Sequence, residues 1–298
     1  MPQNRRSTAG MAAQFPKWDL GNPTQFKQVV QNISNVYHAT PAQLRESARP
    51  WYEQVNEAVH KGVKGTSMTP RQGAGLVAAV SPAMEFEGRN IHAFRDFGNL
   101  RQRDWDAIHR SARGEAGNTY VDPRTGKTKI RRSAEAESIL KGTSLSHTSD
   151  RFLIEGHRII QGEDFADVMP RTSSPKRNAF GEAIDDPLGE RHKSLGQRMH
   201  VPIDYRAYDI GMNQMIPTQF TGRGIDKANL PSGKTTRYEH FENAYRSAAA
   251  AVGEDPDIAH QIQAITWVGG KDIETAGYTK KGTRRTKGAT RLGQPYVA

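Results

Sequence analysis

Apolar residues recur along much of this chain at helical spacing. In 237–252, Tyr238, Phe241, Ala244, Tyr245 and Ala248 fall three or four residues apart, on one face of a helix. In 256–268, Ile258, Ile262, Ile265 and Trp267 give a mostly apolar face. Leu76-Val77-Ala78-Ala79-Val80 is apolar on every side, which predicts a central helix whose small alanines let neighbours approach. A cap residue followed by proline marks helix starts at Thr40-Pro41, Thr69-Pro70, Ser174-Pro175 and Asp255-Pro256. Thr236 and Glu239 have capping-box spacing, and Gly253 stands where that helix should end. These signals predict helices over 24–36, 41–60, 70–80, 84–97, 150–160, 175–184, 205–214, 237–252 and 256–268. The fold class is mainly α, a helical bundle with a small inserted β-hairpin.

Three stretches break the helical pattern. Residues 1–22 are polar and predict a flexible arm. Residues 111–133 predict an inserted hairpin, because Asp122-Pro123-Arg124-Thr125-Gly126 separates two short β-prone runs. Residues 216–235 contain Pro217, Gly222, Gly224, Pro231 and Gly233 and read as a long loop. The domain plan is an arm over 1–22, a helical body over 23–270 and a tail over 271–298.

Composition narrows the chemistry. The 298 residues contain no cysteine, which excludes disulfides, thiol nucleophiles and thiolate-held metals. No apolar run approaches the length of a membrane span, so no membrane partner is expected. Arg5-Arg6 is not followed by an apolar stretch, so no export signal is read. Lys and Arg total 42 against 32 Asp and Glu, a net charge of +10. Half of that lies in 271–298, where seven cations face two acids. Lys280, Lys281, Arg284, Arg285 and Lys287 sit there in a run with nothing to bury. Lys127, Lys129, Arg131 and Arg132 give the hairpin a basic rim. Both stretches read either as solubilising surface or as phosphate contacts to DNA.

Three motifs carry possible chemistry. The apolar helix stops at Ser81-Pro82, with Phe86 and Asn90 beyond it. Lys176 and Arg177 occupy the first turn of a helix opened by Ser174-Pro175, where free amides attract anions. Val201-Pro202-Ile203 delivers Asp204 to a helix start, so Asp204 reads as an N-cap or as a carboxylate at a cleft mouth. No metal set is expected: His147 with Asp150, Glu155 with His157 and His200 with Asp204 are only pairs, and no H-E-x-x-H motif is present. There is no G-x-S-x-G and no phosphate-binding Walker loop, and no cofactor is implied.

Trp51-Tyr52, then Ala78-Ala79-Val80-Ser81-Pro82 with Asn90, then Ile203-Asp204, then Tyr238, Ala244-Tyr245 and Gln263-Ala264-Ile265-Thr266-Trp267 form an ordered series. In this the chain resembles a protein family of actinobacterial phages, over roughly residues 37–268. More distantly it resembles the helix-hairpin-helix (HhH-GPD) DNA glycosylase superfamily. That resemblance implies a phage-encoded, DNA-binding protein in the bacterial host cytoplasm, acting on a flipped base by excision or modification. It implies Asp204 as the catalytic carboxylate and Lys176 as an amine nucleophile. Arg177, Ser81 and Asn90 would contact DNA, and Phe86, Tyr205 and Trp267 would stack or wedge. Without cysteine, the chain would belong with superfamily members that lack an iron–sulfur cluster. A DNA-binding protein without chemistry on the same scaffold, and a virion or host-takeover interaction protein, are the alternatives.

Overall fold

A computed structural model describes residues 20–81, 90–211 and 236–277. Phe86, the 216–235 loop and Lys280 through Lys287 lie outside the described residues. For Asn90 and Tyr205 only the backbone is described. The described chain is mainly helical, with one two-stranded antiparallel sheet. It divides into two compact units: residues 1–52 with 188–298, and residues 53–187. The single body expected over 23–270 is therefore two.

The first unit gathers around α1 (Pro23–Ala39), capped by Asn22, whose Oδ1 accepts from the Thr24 amide at 2.9 Å. Leu20 is buried in the core, so the folded unit begins inside the arm expected over 1–22. Val29, Ile33, Val36 and Tyr37 form the buried face of α1. Packed on α1 are α12 (Tyr205–Gly211), α13 (Thr236–Ala251) and α14 (His260–Gly277). Thr40 ends α1 rather than opening the next helix, and its hydroxyl donates to Val36 O at 2.7 Å. The helix expected over 41–60 is interrupted by Pro50, which lacks an amide to donate, and becomes α2 (Ala42–Ala48) and α3 (Trp51–Val63). Helix α13 closes at Gly253, which has φ +81°. Gly253 N bonds Ala250 O and Glu254 N bonds Ala249 O, the paired bonds of a Schellman end. Helix α14 runs to Gly277, so residues 271–277, expected in the tail, are helical.

The second unit is built on α4 (Pro70–Val80). As its all-round apolarity predicts, residues 73–80 are buried. The Thr69 cap and Gln72 form a reciprocal capping box. Around α4 pack α5 (Asn90–Asn99), α8 (Asp150–Ile160), α9 (Phe165–Val168) and α10 (Pro175–Asp185). Glycines set the approach. A Cβ on Gly75 would stand 2.6 Å from Phe165 Cβ, and one on Gly156 would stand 2.6 Å from Phe97 Cζ. Helices α6 (Gln102–Arg113) and α7 (Ala134–Leu140) flank strands β1 (Thr119–Val121) and β2 (Thr128–Ile130). The hairpin is thus narrower than the 111–133 insertion, whose first residues close α6 at Gly114, φ +74°. The short α11 (Glu190–Ser194) returns to the first unit.

Candidate functional site

The hairpin is built by its turn and its root. Asp122 Oδ1 accepts from the Arg124 amide at 2.8 Å, and Gly126, φ +65°, returns its amide to Asp122 O at 2.8 Å. Thr119 pairs with Ile130, Tyr120 with Lys129, and Val121 with Thr128. At the root, Arg132 is only 15% exposed and holds Asp150 Oδ1 at 2.6 Å, Ser146 O at 2.7 Å and Thr148 O. The hydroxyl of Ser111 accepts from the Ser133 amide and donates to Asp150. Arg132 is therefore a correction to the expected DNA contacts: its guanidinium is used inside the fold. Lys129 pairs with Asp122, and the Arg131 guanidinium lies 4.4 Å over the Tyr120 ring. Arg124 and Lys127 are exposed, and their side chains have no ion-pair partner among the described residues.

In the first unit, Asp204 stands at the end of a segment pinned by α13. Arg246 donates to Met199 O at 2.7 Å, and Val201 N donates to Glu242 Oε1 at 3.0 Å. The Tyr238 hydroxyl donates to Val201 O and accepts from Ile203 N, both at 2.8 Å. Asp204 then opens α12, with Oδ1 accepting from Ala207 N at 2.9 Å. Its Oδ2 accepts from the Trp267 indole at 3.1 Å, and the Arg206 guanidinium lies 5.1 Å over that indole. Nearby, the buried Tyr52 hydroxyl donates to Gln263 Oε1 at 2.8 Å. Burial, then the negative charge of Asp204, holds the Tyr52 phenol well above its ordinary range.

A family model described as "Family of unknown function (DUF7178)" matches residues 18–119 and 123–274. The chain belongs to that family. No curated protein and no solved structure matches it. The matched ranges take in both units, the Asp204 segment and all of α14 through Glu274.

The remaining expected residues of this DUF7178 member fall in the second unit. Arg177 is 7% exposed and is a second correction: its guanidinium binds both oxygens of Glu155, donates to Ser174 Oγ at 2.8 Å and covers the Phe152 ring. The Ser174 hydroxyl consequently accepts from Arg177 and does not cap the α10 amides. Lys176, beside it, is partly exposed, without an ion-pair partner among the described residues. Ser81 ends α4, its hydroxyl donating to Ala78 O at 3.0 Å. Among the described residues no three His, Cys, Asp or Glu side chains are placed to hold a metal ion, and no helix is long and apolar enough to cross a membrane.

Sequence reading missed the partners that position Asp204. Tyr238 and Glu242 lie four residues apart on α13, which places both on one face. A tyrosine and a carboxylate on a mostly apolar face were the available signal. It also missed the His109–His157 contact. Their ring nitrogens are 2.9 Å apart, with His157 stacked 4.2 Å from Trp105. Burial, then the neighbouring His109, pushes His157 down to about 4.

Proposed function

We propose that this DUF7178 protein binds DNA, holding the phosphate backbone with the hairpin turn and the basic run from Lys280 to Lys287. The observation that carries this is the pair Arg124 and Lys127, exposed on a rigid turn without carboxylate partners. A cation already paired inside the protein must lose that partner to take a phosphate, whereas these two need only release counterions from DNA. On this reading the helical units carry a scaffold of helix-hairpin-helix glycosylase type. The test is a salt titration of binding to duplex DNA. Binding should weaken steeply with salt, and removal of 278–298 should lower the slope by several units. Binding that ignores salt, or no binding at low salt, overturns the proposal.

A second reading adds base excision, and the pinned Asp204 segment favours it. Breaking a glycosidic bond builds positive charge on the sugar, which a rigidly held carboxylate stabilises. The amine of Lys176 is the candidate nucleophile of that reading. Duplexes carrying uracil, hydroxymethyluracil, alkylated purines or 7-deazaguanine should yield abasic sites with the wild type and none with Asp204→Asn. Equal activity in Asp204→Asn, or no abasic product from any duplex, removes this reading.

A further inference from the structure

The two faces of the hairpin are not alike. Side chains alternate across a strand, so Tyr120, Asp122, Lys129 and Arg131 share one face. That face is closed on itself by the Arg131–Tyr120 stack and the Lys129–Asp122 ion pair. The opposite face carries Thr119, Val121, Thr128 and Ile130, every one β-branched. Its root touches α6, since a Cβ on Gly114 would meet Thr119 Cγ2 at 2.9 Å. Ile130, paired with Thr119 at that root, is 47% exposed, and nearer the tip Val121 is 62% exposed. A two-stranded hairpin alone is marginal in water, yet this one is held rigid by Arg132, Ser111 and Asp150 at its base and by the Asp122 turn at its tip. It is a stiff ribbon with an apolar reading face and, at its end, two cations without an ion-pair partner among the described residues.

We infer that the β1–β2 ribbon enters the major groove of duplex DNA. The face bearing Val121, Thr128 and Ile130 turns towards the base edges, and Arg124 and Lys127 sit on flanking phosphates. The inference rests on the proposed DNA binding. Paired strands lie about 4.8 Å apart, and with side chains such a ribbon suits a groove roughly 12 Å wide. Small apolar side chains there meet the methyl group of thymine, the apolar feature of the groove floor. The A-form major groove of duplex RNA is deep and narrow and does not admit a ribbon. The charge of the turn selects a polyanion over an apolar partner surface.

The experiment measures binding of the full chain, by fluorescence anisotropy, to matched duplexes of alternating dA-dT, alternating dA-dU and RNA. The dA-dT and dA-dU duplexes differ only in the thymine methyl. The wild type should prefer dA-dT by about threefold to fourfold, the worth of a buried methyl. Val121→Ser and Ile130→Ser should abolish that preference and leave the salt slope unchanged. Arg124→Ala and Lys127→Ala should each lower the slope by about one and keep the preference. Val121 is exposed, so its variant should keep the wild-type circular dichroism. Equal affinity of the wild type for dA-dT and dA-dU, or a Val121→Ser variant that keeps the preference, overturns the ribbon inference while leaving DNA binding intact. Tighter binding to the RNA duplex, or a dimer dissolved by Val121→Lys, also overturns it. Failure to bind any duplex overturns both.

Discussion

The two units hold nearly equal numbers of cations and very different balances. Residues 1–52 with 188–298 carry 22 Lys and Arg against 13 Asp and Glu; residues 53–187 carry 20 against 19. Yet the described residues of the first unit hold 10 cations against 11 acids, so its whole excess lies in 1–19, 212–235 and 278–298. The second unit reaches near-neutrality differently. Residues 118–132 hold five cations and one acid, and the rest of the unit is acidic. Much of that acid is spent on arginines. Arg71 alone meets Asp164, Glu182 and Asp185 while covering the Phe165 ring. Net charge is thus a poor guide to where a polyanion binds. What matters is which cations have carboxylate partners, and by that measure Arg124 and Lys127 stand apart from Arg132 and Arg177.

The hardest blow to that contrast is the loss of a buried partner. Arg177→Met should destabilise the second unit by about 3 kcal/mol, the low end for a broken buried pair, because buried Glu155 keeps only the exposed Arg151, at 3.1 Å, and Ser174 loses its donor. Replacing both residues with apolar ones of similar size should be close to neutral. Thermal unfolding checks both, and the DNA salt slope of the folded Arg177→Met protein should not move. A lowered slope with unchanged stability would return Arg177 to the DNA surface.

Acid should separate the units next. In the unfolded chain His157 takes up a proton near 6.5, but in the fold only near 4, because burial beside Trp105 and His109 disfavours the cation. The stability of the second unit is then complete above about pH 6.5 and falls towards pH 4, by on the order of 2–3 kcal/mol. Burial, the larger cause, and the Arg113 charge also hold His109 down, in the same direction. In the first unit, the Arg49 guanidinium holds Glu254 below its ordinary range. That contribution is present above about pH 4.5 and is lost only below it. Denaturant midpoints at pH 7 and pH 5 should differ in the wild type and converge in His157→Gln. Equal loss in the variant would show that another group titrates.

The third test concerns packing. Gly75→Ala should cost about 1–3 kcal/mol, since the added methyl meets Phe165. Gly142→Ala meets nothing within 4 Å, but its φ of +82° makes it strained in another way. Gly156→Ala, whose methyl would stand 2.6 Å from the Phe97 ring at Cζ, should recover part of its loss when paired with Phe97→Leu. Additive penalties would mean that the ring is not what the methyl meets.

These residues show how far sequence reading reaches. The central apolar helix, the Thr69 cap before Pro70, the Gly253 stop and the Asp122–Gly126 turn were legible because each is a local contract between a residue type and a backbone geometry. Helix α6 was not legible. Its twelve residues are mostly charged or polar, and Trp105, Ile108 and Ser111 make only a thin buried stripe. Arg132 and Arg177 read as surface cations because their partners, Asp150 and Glu155, lie 18 and 22 residues away. The reading of Asp204 as a helix cap needed only Val-Pro-Ile-Asp before a helix. Its second hydrogen bond, to Trp267 across 63 residues, had no local signal.

Asp204 gives the smallest expected effect and the sharpest division between its two roles. Asparagine caps helices as well as aspartate, so Asp204→Asn keeps the bond from Ala207 N through its carbonyl. Its amide group then faces the Trp267 indole, and donor meets donor. The loss should be about 1 kcal/mol, and Trp267→Phe should cost a similar amount by hydrogen bonding alone. In the double variant the penalties should overlap, giving a coupling of about 1 kcal/mol in denaturant unfolding. Such coupling with unchanged chemistry on DNA would confine Asp204 to the architecture of the first unit. A variant of nearly wild-type stability that has lost base excision would make the same carboxylate the working group of the site. Stability and abasic-site yield, measured on one protein preparation, therefore decide between a cap and a catalyst without disturbing the hairpin at all.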